Sequence, residues 1–65
     1  MTIILNGEPQ DVRAVSLEEV LAEIGLGEAI VATALNGTFV AAHARKDTKV
    51  HDGDRLEVVA PRQGG

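Results

Sequence analysis

Residues 16–25 read SLEEVLAEIG, and this stretch decides the fold of the chain. Its apolar residues recur at the i, i+3, i+4 and i+7 spacing of one helical face: Leu17, Val20, Leu21 and Ile24. Ser16 and Glu19 have the spacing of a capping box, which fixes where the helix begins, and Gly25 suits the left-handed residue that ends many helices. The stretch therefore predicts one amphipathic helix with a single apolar stripe to bury.

Two Asn-Gly pairs predict a β-hairpin on either side of this helix, because both residue types tolerate the positive φ of tight hairpin turns. The first pair, Asn6-Gly7, joins an apolar strand over 2–5 to a returning arm over 8–14. Pro9 lies in the returning arm and cannot donate to a ladder, so the second strand is expected at a sheet edge and the first strand inside it.

The second pair, Asn36-Gly37, joins strands expected over 29–35 and 38–40. Residues 41–49 have no clear period and are expected to form an irregular connector with about one helical turn. A turn at 52–54 then leads into a final strand over 55–60, whose alternation predicts a buried face. That face is expected to hold Leu56, Val58 and Ala60.

This order of elements predicts an α+β fold in which a mixed sheet of four to five strands packs on one helix. The chain has 65 residues, which is enough for one domain and too few for a large internal cavity. We expect the domain to cover residues 1–60 and residues 61–65 to form a flexible C-terminal tail. The tail begins with Pro61 and contains no apolar anchor.

Composition excludes several classes of function. The formal net charge is −4 and the short basic cluster at 45–49 contains no aromatic residue, which argues against nucleic-acid binding. No cysteine is present to bind a metal or act as a nucleophile, and the two histidines, His43 and His51, lack partners at ligand spacing. No apolar run is long enough to span a membrane, so we expect a cytoplasmic protein without a metal or a bound cofactor.

The chain ends in Gly64-Gly65, whose terminal carboxylate is not shielded by any side chain. Glycine lacks a Cβ, so such a segment can pass through a narrow channel and approach a nucleotide closely. The pattern indicates that the C-terminus itself takes part in chemistry carried out by another protein. The alternative is a frayed tail with no role.

Four segments together resemble the ThiS-type sulfur carrier proteins of thiamine biosynthesis, which are small members of the ubiquitin-like β-grasp group. They are IILNG at 3–7, ATALNG at 32–37, DGD at 52–54 followed by an apolar strand, and QGG at 63–65. Each segment is a weak signal alone, but the combination is specific and spans essentially the whole chain.

The resemblance implies a sheet whose first and last strands run parallel in the middle, crossed by the helix. It also implies that the chain is not an enzyme. An E1-like partner would consume ATP to adenylate the carboxylate of Gly65, and a sulfur-donating protein would then supply the sulfur of a terminal thiocarboxylate. A thiazole synthase would take that sulfur. Gly64 and Gln63 would give the tail access to the partner's active site.

Phe39 and Val59 are candidates for partner docking. Val59 has the opposite parity to Leu56 and Val58, and Phe39 lies on a strand arm, so both are expected on an exposed apolar patch, although core packing is equally compatible with Phe39. The remaining alternatives for the whole chain are a sulfur carrier like the small subunit of molybdopterin synthase, a ubiquitin-like modifier joined to lysines, and a β-grasp interaction module without chemistry.

Overall fold

The structure is a computed structural model, and it describes residues 1–60. These residues form five strands, one α-helix and one 3₁₀ helix. In chain order they are β1 (Thr2–Leu5), β2 (Glu8–Asp11), α1 (Leu17–Glu23), β3 (Ala32–Leu35), β4 (Thr38–Val40), the 3₁₀ helix (Ala42–Asp47) and β5 (Arg55–Val59). The strands make one mixed sheet in the order β2-β1-β5-β3-β4.

The strand order confirms the fold expected from the sequence and from the family resemblance. β1 pairs parallel with β5, and every other neighbouring pair of strands is antiparallel. β2, which carries Pro9, is an edge strand, as the missing amide donor of proline requires. The last strand in sequence therefore lies at the centre of the sheet.

Helix α1 begins and ends where its sequence signals predicted. The Ser16 side chain accepts a hydrogen bond from the Glu19 amide at 3.1 Å, and the Glu19 carboxylate accepts in return from the Ser16 amide, which completes the capping box. At the other end Gly25 has a φ of 87°. Its amide and that of Leu26 donate to carbonyls of the last turn, in the pattern of a Schellman cap.

The apolar stripe of α1 packs on one face of the sheet. Leu17, Val20 and Leu21 are buried, and Ile24 is partly buried against the same core. The other buried apolar side chains come from three strands and two connecting segments: Ile3, Val40 and Leu56 from β1, β4 and β5, and Val12 and Val50 from the segments after β2 and after the 3₁₀ helix. Burial of each large aliphatic side chain contributes about 1.5–3 kcal/mol, so this one layer supplies most of the driving force for folding.

Several element boundaries differ from the sequence-based expectation. β2 ends at Asp11 and β3 begins at Ala32, so both strands are shorter than the expected ranges of 8–14 and 29–35. β5 ends at Val59, and the expectation that Ala60 shares the buried face with Leu56 was wrong because Ala60 follows the strand and is exposed. Within 1–60 no helix is long and apolar enough to cross a membrane.

Residues 41–49 are more ordered than expected, because most of them form the 3₁₀ helix. Arg45 fastens this helix to β3. Its Nη2 donates to the Val31 carbonyl at 2.7 Å and its Nε donates to the Thr33 hydroxyl at 3.1 Å. The buried Thr33 hydroxyl donates in turn to the Val40 carbonyl at 2.8 Å, and no buried side-chain polar atom in residues 1–60 is left without a partner.

The turn at 52–54 joins the start of β5 to the start of β1. Asp52 Oδ1 accepts from the Thr2 amide at 2.8 Å. Asp54 Oδ2 accepts from the His51 amide at 2.7 Å, and Asp54 Oδ1 accepts from Asn36 Nδ2 at 3.1 Å. These hydrogen bonds, with that from the His51 amide first, outweigh desolvation and lower the pKa of Asp54 below its ordinary value.

Because the pKa of Asp54 is lower in the folded than in the unfolded chain, its ionised form favours folding. This stabilisation is fully present above the unfolded pKa of an aspartate, about 4, and is lost as pH falls through the lower folded pKa. We expect Asp54→Asn to be less stable than the unsubstituted chain at pH 7, with a difference that shrinks below about pH 4. Urea unfolding at both pH values measures this, and a difference independent of pH would contradict it.

Candidate functional site

The candidate site is the end of β5, where the chain leaves the core. On the face that packs on α1, burial falls from Leu56, which is completely buried, to Val58, which is partly buried; Val59 is on the opposite face and is 62% exposed. The predicted chemical residue Gly65, and the predicted access residues Gly64 and Gln63, lie outside the described residues. The structure describes β5, the strand that precedes them in the sequence.

Two asparagines hold β5 on opposite sides. Asn6 Oδ1 accepts from the Val58 amide at 2.8 Å, and Asn6 Nδ2 donates to the Val58 carbonyl at 3.1 Å. Asn36 Oδ1 accepts from the Arg55 amide at 2.9 Å, and Asn36 Nδ2 donates to the Asp54 carboxylate. Asn6 thus contacts the end of β5 and Asn36 its beginning.

Both asparagines can reach β5 because of the turns that hold them. Asn6 and Gly7 have φ values of 49° and 86°, and Asn36 and Gly37 have values of 51° and 83°, which is the positive-φ pattern of a type I′ hairpin turn. Each turn joins the strand beside β5 to an edge strand. The side chain of the first turn residue can therefore point back across the gap to β5.

The two docking candidates share the face of the sheet opposite α1. Phe39 is 69% exposed and pairs with Ala34, which pairs with Glu57 on β5; Val59 pairs with Ala32. Side chains that are paired in register lie on the same face. Together they surround a shallow depression of ≈ 160 Å³, and we call this set the outer patch: Ala32, Ala34, Phe39, Glu57 and Val59.

Phe39 could lie on an exposed patch or in the core, and in the structure it is exposed. The outer patch includes two exposed apolar side chains, Phe39 and Val59, and aromatic residues such as Phe39 are enriched in recognition surfaces. It adjoins the end of β5 through Val59. Whether a partner binds there is a prediction that the geometry alone leaves untested.

The histidines, Ser16 and Glu23 show no arrangement that would make a second functional site within residues 1–60. His43 and His51 are exposed, and within residues 1–60 no three metal-ligating side chains come together. The Ser16 hydroxyl serves as the helix cap. The Glu23 carboxylate, on the exposed side of α1, accepts from the backbone amides of Arg13 and Ala14 at 2.9–3.0 Å and so connects the segment before α1 to the helix.

Sequence reasoning missed the roles of Asn6, Asn36 and Arg45. The two asparagines were recognised as turn residues, but nothing in an Asn-Gly pair reveals where the asparagine side chain points. Arg45 was identified only as part of a basic cluster. Each of these contacts joins segments that are distant in sequence, so local patterns carry no signal for them.

Sequence comparisons identify the family to which this chain is similar. A family model described as the ThiS family matches residues 3–65. The chain is 43% identical over 61 residues to the sulfur carrier protein ThiS of Thermus thermophilus, and the match covers 94% of this chain and 95% of that protein.

Solved structures show the same fold. The crystal structure of the thiamine biosynthesis protein ThiS from Geobacter metallireducens superposes with a TM-score of 0.85 at 30% sequence identity, covering 100% of both chains. The solution structure of a thiamine biosynthesis protein from the same organism gives a TM-score of 0.79 at 29% identity, covering 100% of this chain and 88% of that one. The β-grasp fold predicted from the sequence is therefore confirmed.

The exposure of the outer patch predicts that its apolar side chains contribute little to folding. We expect Phe39→Thr and Val59→Thr to change the free energy of unfolding by no more than about 0.5 kcal/mol, because both side chains are mostly exposed and threonine suits a strand. Leu56→Ala, at a fully buried position on the same strand as Val59, should cost about 2–5 kcal/mol. Urea unfolding of the three variants measures this, and a cost at Phe39 comparable to that at Leu56 would place Phe39 in the core.

Proposed function

Because this chain belongs to the ThiS family, the sulfur carrier proteins of thiamine biosynthesis, we propose that the C-terminal carboxylate of Gly65 is its reactive group. The chain is then the substrate of other enzymes and not a catalyst. The observation that carries this proposal is the family match, which extends through Gly65. The position of β5 supports it, since the last strand before these C-terminal residues is the central strand of the sheet.

The proposed chemistry begins with an activating enzyme of the E1-like class. A carboxylate oxygen of Gly65 attacks the α-phosphate of ATP, pyrophosphate leaves, and an acyl-adenylate forms. A sulfur-donating protein then supplies sulfur at the oxidation level of sulfide. This sulfur attacks the carbonyl carbon as HS⁻, AMP leaves with the oxygen through which it was bound, and one proton is released. The product is a terminal thiocarboxylate, and a thiazole synthase takes its sulfur. Activation splits one difficult substitution into two easier steps.

The tail is suited to reach into such an enzyme. If extended, residues 61–65 would span up to roughly 17 Å, which is enough to carry Gly65 well beyond the folded domain. Gly64 and Gln63 then lie in the entry channel, where glycine leaves room for close approach of the backbone to the nucleotide. A cytoplasmic setting, in which ATP is available, suits this reaction. The ATP is bound by the activating enzyme, so the carrier needs no cofactor of its own.

The outer patch is the proposed docking surface for the activating enzyme. It is continuous with β5 through Val59, so a partner that covers it would hold the start of the tail in a fixed place. Phe39 provides the largest exposed apolar side chain of the patch. Aromatic side chains at the centre of an interface commonly dominate its binding energy, and the depression beside Phe39 can receive an apolar side chain of the partner.

The role of Gly65 can be tested by adding one residue after it. An alanine appended after Gly65 moves the carboxylate away from its expected position and adds a Cβ at the end of the tail. We expect adenylation by the cognate activating enzyme, measured as ATP–pyrophosphate exchange, to be lost while the urea unfolding midpoint stays the same. Undiminished exchange with the extended chain would show that the terminal carboxylate of Gly65 is not the acceptor.

The product can be tested directly in protein isolated from its own cells. Intact-mass analysis should find a fraction of the chain with one terminal oxygen replaced by sulfur. This fraction should disappear when the activating enzyme is deleted. A chain found joined to lysine side chains of other proteins would instead indicate a ubiquitin-like modifier.

The docking proposal predicts a separate effect of Phe39. Phe39→Asp places a charge at the centre of the outer patch, and we expect it to weaken binding of the activating enzyme by more than 1 kcal/mol without unfolding the domain. Gln10→Asp is a matched control, since it adds the same charge on β2 at the far edge of the sheet. Calorimetric titration of both variants measures this, and equal affinities would remove the outer patch from the interface.

A further inference from the structure

Among residues 1–60, the end of β5 has no backbone partner on the side of β1 beyond Leu56. The parallel register pairs Ile4 with Arg55 and Leu5 with Leu56, and β1 then ends. β5 continues to Val59, and on its other side β3 pairs with it as far as Val59. The amide and carbonyl of Val58 face the side that β1 has left.

Asn6 fills this gap. Its backbone amide donates to the Leu56 carbonyl at 2.9 Å, as a further residue of β1 would. Its side-chain amide then makes the two hydrogen bonds to Val58. A carboxamide presents one acceptor and one donor in a plane, as a peptide group does, so the parallel ladder continues through a side chain.

We propose that Asn6 is a positioning residue for the reactive C-terminus, because it fixes the end of β5 and hence the direction in which the chain leaves the sheet. This inference rests on the proposed function of Gly65. Without Asn6, the last residues of β5 are held only by β3, and the strand can separate from the sheet at its end. The direction in which the chain leaves β5 then varies, and a smaller fraction of encounters brings Gly65 into the partner's active site.

The chain contains a matched control. Asn36 has the same place in the same kind of turn and also contacts β5, but at Arg55 and Asp54, away from the tail. Glycine adopts positive φ without strain, so Asn6→Gly and Asn36→Gly both keep the turn and lose only the side-chain hydrogen bonds. A difference in activity or amide exchange between the two variants therefore shows which end of β5 the lost side chain contacted.

Amide hydrogen exchange by NMR tests the structural step. We expect the Val58 amide to exchange roughly tenfold faster in Asn6→Gly and to remain slow in Asn36→Gly, after correction for the global stability of each variant measured by urea unfolding. Unchanged exchange of Val58 in Asn6→Gly would overturn the proposal. This measurement does not depend on the activating enzyme.

Adenylation kinetics test the consequence. Asn6→Gly should lower kcat for ATP–pyrophosphate exchange by roughly tenfold, with a smaller change in KM because Phe39 still docks; Asn36→Gly should match the unsubstituted chain. Asn6→Asp should resemble Asn6→Gly, since a carboxylate cannot donate to the Val58 carbonyl. An equal loss of kcat in the two glycine variants would show that Asn6 has only a general structural role. If the unsubstituted chain itself is not adenylated, the proposed function fails. The difference in amide hydrogen exchange of Val58 between the two glycine variants still decides whether Asn6 holds the end of β5.

Discussion

The sheet depends on the parallel pairing of β1 with β5, which covers only the first part of β5. β1 contacts β5 over Ile4 and Leu5, while β3 contacts β5 from Leu56 to Val59, so the two halves of the sheet are offset along the central strand. A buried or half-buried strand with unpaired amides and carbonyls is costly. The offset is tolerated because two asparagine side chains, one from each hairpin turn, supply the missing partners.

The proposed function assigns folding and reaction to different parts of the chain. The single core between α1 and the sheet holds most of the large apolar side chains of residues 1–60, and a domain of this size leaves little room for an internal active site. In the proposed function the reactive group belongs to the residues that follow the central strand β5, so it needs no cavity in the core.

The sequence predicted those features that local patterns encode. The capping box and stripe of α1, both turns and the edge position of Pro9 followed from residues a few positions apart. The position of Phe39 on the outer face was one of two alternatives, because strand parity alone does not say which face is covered. The contacts of Arg45 and Glu23 were not predictable, because each joins segments whose approach depends on the complete fold.

Asparagine is the residue type that meets both demands on the first position of these turns. The turn requires a positive φ, which glycine, asparagine and aspartate tolerate better than other residues. The ladder requires a donor and an acceptor on one short side chain; glycine has neither, and aspartate when ionised has only acceptors. At Asn6 both requirements apply next to the point where the chain leaves the sheet, so one side chain joins the local geometry of a hairpin to the placement of a distant C-terminus.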